Sequence, residues 1–336
     1  MFEARRYWWL LAPVAACGVA IALWWAKPTA VPPAGPAEPV AIAGLALPGA
    51  GLFFVAKEQG FFRGQGIEVD LQAHATGRLA LAALFDGKAD LALAADTPIV
   101  LSILAGRKLD ILSTVYRPNG GIAIIARKER AATPGELKGK RLGVTFGSAG
   151  QFVADTFLLV HGLPQATTTL LNLQQEEMAK ALLAGEIDAA CMWQPHLAAM
   201  QAKLGDRAVT FANATLYTFR LSLVTKPGFA ASHPERARKL LAALKQAQLY
   251  VAEHPAPALD IMSKSTGIAA ADFKRFFDPL DYDLELEQGL LLALDDQTRW
   301  AVKRGLATAD SLPNYLDHVQ AEALTAISPA SVKIIR

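Results

Sequence analysis

Cysteine is nearly absent. Cys17 and Cys191 are the only two in 336 residues, too few for a disulfide framework or a four-thiolate zinc site. An excess of either charge is absent too. Thirty-three basic residues against thirty-one acidic ones leave +2, so the charge balance points to no nucleic acid and no acidic polymer. Charged residues make up only 19% and apolar ones 52%, which excludes a disordered chain. The six histidines, at 74, 161, 196, 233, 254 and 318, never fall three to five residues apart, so local zinc-site spacing is missing. There is no Gly-x-Ser-x-Gly elbow, no P-loop and no Gly-x-Gly-x-x-Gly after a strand. The acidic run DYDLELEQ, Asp281 to Gln288, reads as a solvated face rather than a catalytic carboxylate pair. These absences predict a chain that is not an enzyme and that carries no cofactor and no metal.

What is present begins at the N-terminus. Arg5 and Arg6 precede twenty residues without a charge, Tyr7 to Ala26. As a helix these would rise about 30 Å, the thickness of a bilayer's hydrocarbon core. Trp8, Trp9, Trp24 and Trp25 sit at the two ends, where amphipathic aromatics favour the interface. Three readings fit: an uncleaved anchor through residues 7–26, a cleaved signal, or a lipoprotein signal. In the third, Val14-Ala15-Ala16-Cys17 resembles a lipobox and Cys17 would be lipidated. All three place the body outside the cytoplasm, on the periplasmic or extracellular face of the inner membrane. Residues 27–40 follow with Pro28, Pro32, Pro33, Pro36 and Pro39, a composition that favours an extended, semi-rigid stalk.

The body alternates strands with helices. Ala41–Leu47, Ile67–Leu71, Ala89–Ala95 and Leu109–Val115 read as strands, with helical patterns between them. Thr97-Pro98 reads as a capped helix start, and Thr133 to Glu136 matches a capping box. The rhythm restarts with strands at Arg141–Thr145, Thr168–Leu173 and Ile187–Met192. Leu221–Thr225 is one more strand, and the chain from Pro234 is mostly helical. Helices between successive strands predict parallel pairing and an α/β body in two lobes, with a ligand cleft between them.

Four phrases carry a family resemblance: LFFVAKEQGFFRGQGIEV (Leu52–Val69), ALFDGKADLALAADTPIV (Ala83–Val100), TPGELKGKRLGVTFGSAG (Thr133–Gly150) and EEMAKALLAGEIDAACMWQPH (Glu176–His196). In order and spacing they resemble the solute-binding proteins of ABC importers, the nitrate, sulfonate and bicarbonate branch, over about Ala41 to Ile335. The resemblance implies a type II periplasmic-binding-protein fold, with lobe one at 41–127 plus 220–336 and lobe two at 128–219. It implies capture of a small molecule, most simply an anion, for delivery to a permease and its ATPase. The Trp-flanked run departs from freely soluble or lipidated members and leaves a tethered sensor open as a second role. A group on the same fold that makes a thiamin pyrimidine precursor is a third, but its clustered cysteine motif has no counterpart here.

In open α/β sheets ligands sit beyond the carboxyl ends of strands. Those ends carry Pro48 and Gly49, Thr76 and Gly77, Thr97, Tyr116 and Arg117, then Ser148 and Ala149, and finally Trp193 and Gln194. The Gly147–Gly150 turn offers amides and a helix N-terminus to an anion, with the Ser148 hydroxyl as a further donor; it also serves as an ordinary helix cap. Trp193 suits a stacking wall or core packing. Arg78 and Arg117 are the cations on these loops, suited to a sulfonate, carboxylate or nitrate, or simply to solvent.

Overall fold

The computed structural model describes residues 37–335, apart from 45–46, 119, 213–216 and 309–311. The apolar run 7–26, Cys17 and most of the proline-rich stretch lie outside the described residues. Among the described residues no helix is long and apolar enough to cross a membrane.

Ten strands form two five-stranded sheets: β1 Glu38–Gly44, β2 Ile67–Ala73, β3 Leu91–Ala95, β4 Asp110–Tyr116, β5 Ile122–Arg127, β6 Arg141–Val144, β7 Thr169–Asn172, β8 Ala189–Trp193, β9 Ala208–Phe211 and β10 Leu221–Thr225. The first sheet runs β2-β1-β3-β10-β4 and the second β7-β6-β8-β5-β9. In each, the first three strands pair in parallel, as helical crossovers require. The expected all-parallel pattern fails at β10, which is antiparallel to both β3 and β4. It fails again at β5, antiparallel to β8 and β9. Both strands enter their sheet from the other one, with no crossover helix to bring them round.

β5 and β9 carry no helical rhythm on one side and escape the sequence pattern. The chain passes from the first sheet to the second between Tyr116 and Ile122, since β5 pairs with β8 and β9. β1 opens at Glu38, so the end of the proline-rich stretch pairs in the sheet. Pro39, which lacks an N–H, lies where β1 has β2 on one side only, since β3 reaches just Ile42 and Ala43.

Among the described residues nine helices of eight residues or more pack around the sheets, Pro255–Thr266 and eight labelled α1 to α8. α1 is Gly51–Glu58, α2 Gly77–Phe85, α3 Asp96–Leu104, α4 Ala149–Val160, α5 Gln175–Ala184, α6 His196–Leu204, α7 Pro234–Glu253 and α8 Gln288–Lys303. The first sheet and its helices bury one continuous core that includes Ile42, Phe53, Leu93, Ile111 and Leu223. The second sheet is packed on both faces, around Phe157 and Cys191 on one and Met178 and Met192 on the other. α7 buries Leu240, Leu241, Leu244, Ala247 and Val251 in the first core, but its Leu249 faces solvent.

Three local expectations are corrected. Thr97 does not cap: α3 starts one residue earlier, at Asp96, and Thr97 lies inside it, fully buried. Pro134–Leu137 is a single tight turn in which neither half of the motif forms: Thr133 does not cap, and the Glu136 carboxylate accepts instead from the Ala132 amide, one residue before the cap position, at 2.8 Å. The run 281–288 is no solvated face. Glu285 is 1% exposed and pairs with Arg117 and Lys333, while Glu287 takes the Arg220 guanidinium at 2.8 Å. Burial without those cations would be prohibitive.

Candidate functional site

A cavity of about 880 Å³, its open mouth included, lies between residues of the two sheets. Its wall is built at the carboxyl ends of the parallel strands. Pro48 and Gly49 follow β1, Thr76, Gly77 and Arg78 follow β2, and Ala95 and Pro98 straddle the end of β3. Phe146 to Ala149 follow β6, and Trp193 and Gln194 end β8. Tyr116, Pro118, Gly121 and Ile122 come from the first passage between the sheets, and Phe219 and Leu221 from the return.

Nine of the sequence candidates meet on this wall: Pro48, Gly49, Thr76, Gly77, Tyr116, Ser148, Ala149, Trp193 and Gln194. Thr97 and Arg117 do not. The Thr97 hydroxyl donates to Gln297 Oε1 inside the first core. Arg117 Nε is 2.9 Å from the buried Glu285 carboxylate, so that cation is already neutralised. The apolar residues Phe146, Ile122, Phe219 and Leu221 also stand on the wall without being among the candidates. Ile122, Phe219 and Leu221 lie in the passages between sheets, which strand-end counting does not reach.

Close packing explains several of these residue types. A Cβ on Gly49 would lie 2.8 Å from Leu221 Cδ2 and 3.1 Å from the Tyr116 ring, so the turn after β1 rests directly on the wall. Tyr116 is 7% exposed, 5.0 Å from the Tyr282 ring centroid and edge-on to Phe219 at 6.4 Å. Burial pushes its phenol far above the usual range. The Tyr282 hydroxyl in turn donates to the Pro48 carbonyl at 2.9 Å, which fixes the first loop. Gly147 has φ +72°, the left-handed region where glycine is favoured. A Cβ on Gly150 would touch the Trp193 indole at 3.5 Å, so the first turn of α4 lies against that ring.

The Ser148 hydroxyl is committed to the fold. It donates to the Thr145 carbonyl at 2.6 Å, and its oxygen accepts from the Gly150 amide at 3.1 Å. Thr76 caps α2 in the same way, accepting from the Leu79 amide at 3.3 Å. These caps leave the Gly77 and Arg78 amides at one helix start, and the Ser148 and Ala149 amides at the other, without a hydrogen-bond partner among the described residues. Both starts present the positive end of a helix dipole to the cavity. Arg78 is the one charged side chain on the described wall, and it has no ion-pair partner among the described residues. No aspartate, glutamate, histidine or cysteine stands on that wall. The potential inside is therefore positive over an otherwise apolar surface.

Just beyond the wall, Asp96 opens α3 and is completely buried. Its Oδ2 accepts from the Tyr217 hydroxyl at 3.2 Å. Burial pushes its carboxyl up to about 7, against the opposing pull of Arg220 and of the Tyr217 hydrogen bond. Within the second sheet, burial likewise pushes the Cys191 thiol up to about 12.

A family profile, NMT1/THI5 like, matches residues 48–258, from the first cavity turn through both passages between the sheets. The chain belongs to the NMT1/THI5-like family. Among its relatives is a Bacillus subtilis protein named "Putative aliphatic sulfonates-binding protein", 26% identical over 217 residues, 62% of this chain and 64% of that one. A Saccharomyces cerevisiae 4-amino-5-hydroxymethyl-2-methylpyrimidine phosphate synthase is 24% identical over 221 residues, 61% of this chain and 64% of that one. Among solved structures, the alkanesulfonate-binding protein of Xanthomonas axonopodis pv. citri bound to MOPS superposes with a TM-score of 0.73 at 20% identity, covering 86% of this chain and 100% of that one. The NMT1/THI5-like chain thus has the α/β periplasmic-binding-protein fold, with its two sheets flanking the cavity.

Proposed function

We propose that this chain is the extracytoplasmic solute-binding component of an ABC importer, and that it captures a small organic anion, a sulfonate first of all, for a permease. The observation that carries the reading is the cavity itself. One unpaired arginine and two helix starts with free amides face an apolar wall that holds no acid. An anionic head is stabilised by Arg78 and by the amides of Gly77, Arg78, Ser148 and Ala149, while Trp193, Phe219, Tyr116 and Ile122 cover an apolar body. Nitrate and bicarbonate, with no apolar body to bury, use little of this wall and rank below sulfonates. The sulfonate-binding relatives support the same class.

Lobe one, 41–127 and 220–336, would close on lobe two, 128–219, with β5 joined to the second sheet, and the closed form would be what the permease reads. Residues 7–26 would hold the protein at the membrane. Binding rather than catalysis is supported by the described wall, on which no histidine, cysteine or carboxylate stands to move a proton or attack a substrate.

Isothermal titration of the full chain with hexanesulfonate, taurine and nitrate tests the reading. Hexanesulfonate is expected to bind most tightly, and Arg78→Met to weaken it about ten- to a hundredfold, as for a hydrogen-bonded charge partner. Equal affinity in the folded variant removes Arg78 from the site; no binding by any sulfonate removes the ligand class.

A further inference from the structure

The two lobes also touch away from the cavity. Asp155, on α4 of the second lobe, is buried, its side chain 8% exposed. Every hydrogen bond its carboxylate accepts among the described residues comes from the first lobe. Trp300 Nε1, on α8, donates to Oδ2 at 2.9 Å. Arg304, immediately after α8, donates from Nε to Oδ2 at 2.7 Å and from Nη2 to Oδ1 at 3.1 Å, a bidentate fork. One turn earlier, Phe152 sits edge-on between Trp300 and Tyr217, each ring 5.4 Å away. Phe152, Asp155, Trp300 and Arg304 are all absent from the cavity wall.

We propose that Asp155, Trp300 and Arg304 form an interlobe latch that holds the closed arrangement independently of any ligand. The physical reason is the one-sidedness of the contact. When the lobes part, the carboxylate loses all three donors at once, and the indole N–H and guanidinium lose their acceptor. When they meet, the fork and the wedged Phe152 ring define one register. A buried carboxylate held by its own lobe would be indifferent to opening; this one is satisfied only by the other lobe. By setting the closed fraction, the latch scales the affinity of the cavity for whatever it binds, without touching the ligand. The proposal does not depend on the ligand being a sulfonate.

The test needs no ligand. In the full chain with Cys17→Ala, spin labels at Lys57→Cys in the first lobe and Lys180→Cys in the second report the interlobe distance by double electron–electron resonance; both sites are exposed, and Cys191 is buried. Asp155→Asn is expected to lower the closed-to-open ratio at least tenfold and to add a second population at a different distance. Trp300→Phe is expected to move it the same way by less. Asp188→Asn is the control. That carboxylate is also largely buried, but its partners Arg141 and Arg130 belong to its own lobe. It should lower the melting temperature and leave the distance distribution alone. An unchanged distribution in folded Asp155→Asn overturns the latch, as does an equal shift in Asp188→Asn, which would mark general loosening.

Discussion

Replacing Asp96 with asparagine isolates the electrostatic cost of one buried carboxyl. In the folded chain burial raises this carboxyl from 3.8 to about 7. Arg220 opposes that rise without cancelling it, and it gives Nη2 and Nε to Glu287 at 2.8 and 3.0 Å. A raised acid binds its proton more tightly when folded. Its favourable contribution is therefore complete below about pH 4 and is lost as pH rises through 7. At 1.36 kcal/mol per pH unit, the full window amounts to about 4 kcal/mol, and the part between pH 5 and pH 8 to about 3 kcal/mol. Asparagine keeps an acceptor for the Tyr217 hydroxyl but does not titrate. Urea unfolding of wild type and Asp96→Asn at several pH values should give nearly equal stabilities below about pH 4. At pH 5 the variant should be more stable by about 1.5 kcal/mol and at pH 8 by about 4 kcal/mol, so the difference grows by about 3 kcal/mol between those two pH values. A difference that is the same at pH 5 and pH 8 would refute the argument, because it would mean that Asp96 titrates alike in the folded and unfolded chain.

Two further outcomes follow from committed groups. Ser148→Ala removes a helix cap, so it should cost about 1 kcal/mol of stability, seen as a melting temperature lower by a few degrees, with hexanesulfonate affinity unchanged within about twofold. A large affinity loss would instead make the hydroxyl a ligand contact. Cys191, fully buried and with its thiol pushed up to about 12, should resist a disulfide reagent in native Cys17→Ala protein and react only after unfolding; complete labelling within minutes at neutral pH would contradict that burial.

Much of this architecture is legible in the residues because each parallel strand is followed by a helix with its own start signal. The Ser148 turn is read as a cap for that reason, and strand-end counting brings nine candidates to one wall. The failures share a cause. Thr97 stands at a strand end like the others, yet α3 begins one residue sooner, which turns the hydroxyl into the core toward Gln297. Arg117 is exposed by position but meets a carboxylate 168 residues away in sequence, a partner that no local pattern announces. β5 is set antiparallel between β8 and β9 by tertiary pairing, with no helix between it and β4. The acidic run 281–288 reads as solvated because its cations, Arg117, Arg220 and Lys333, come from elsewhere in the chain.

The same division separates the fold from what the cavity does. Within this family the shared α/β frame accompanies both a named sulfonate binder and a named phosphate synthase, so the frame alone does not decide between holding and transforming a ligand. The decision falls to the side chains on the strand-end loops. Here the two hydroxyls at the helix starts, Thr76 and Ser148, both act as caps, and the nearby acid, Asp96, is turned into a buried pocket with Tyr217. The groups left to the cavity are amides, one guanidinium and aromatic faces. Such groups stabilise a negative charge and an apolar body, which lowers a dissociation constant. That is why the described wall supports capture as the proposed role.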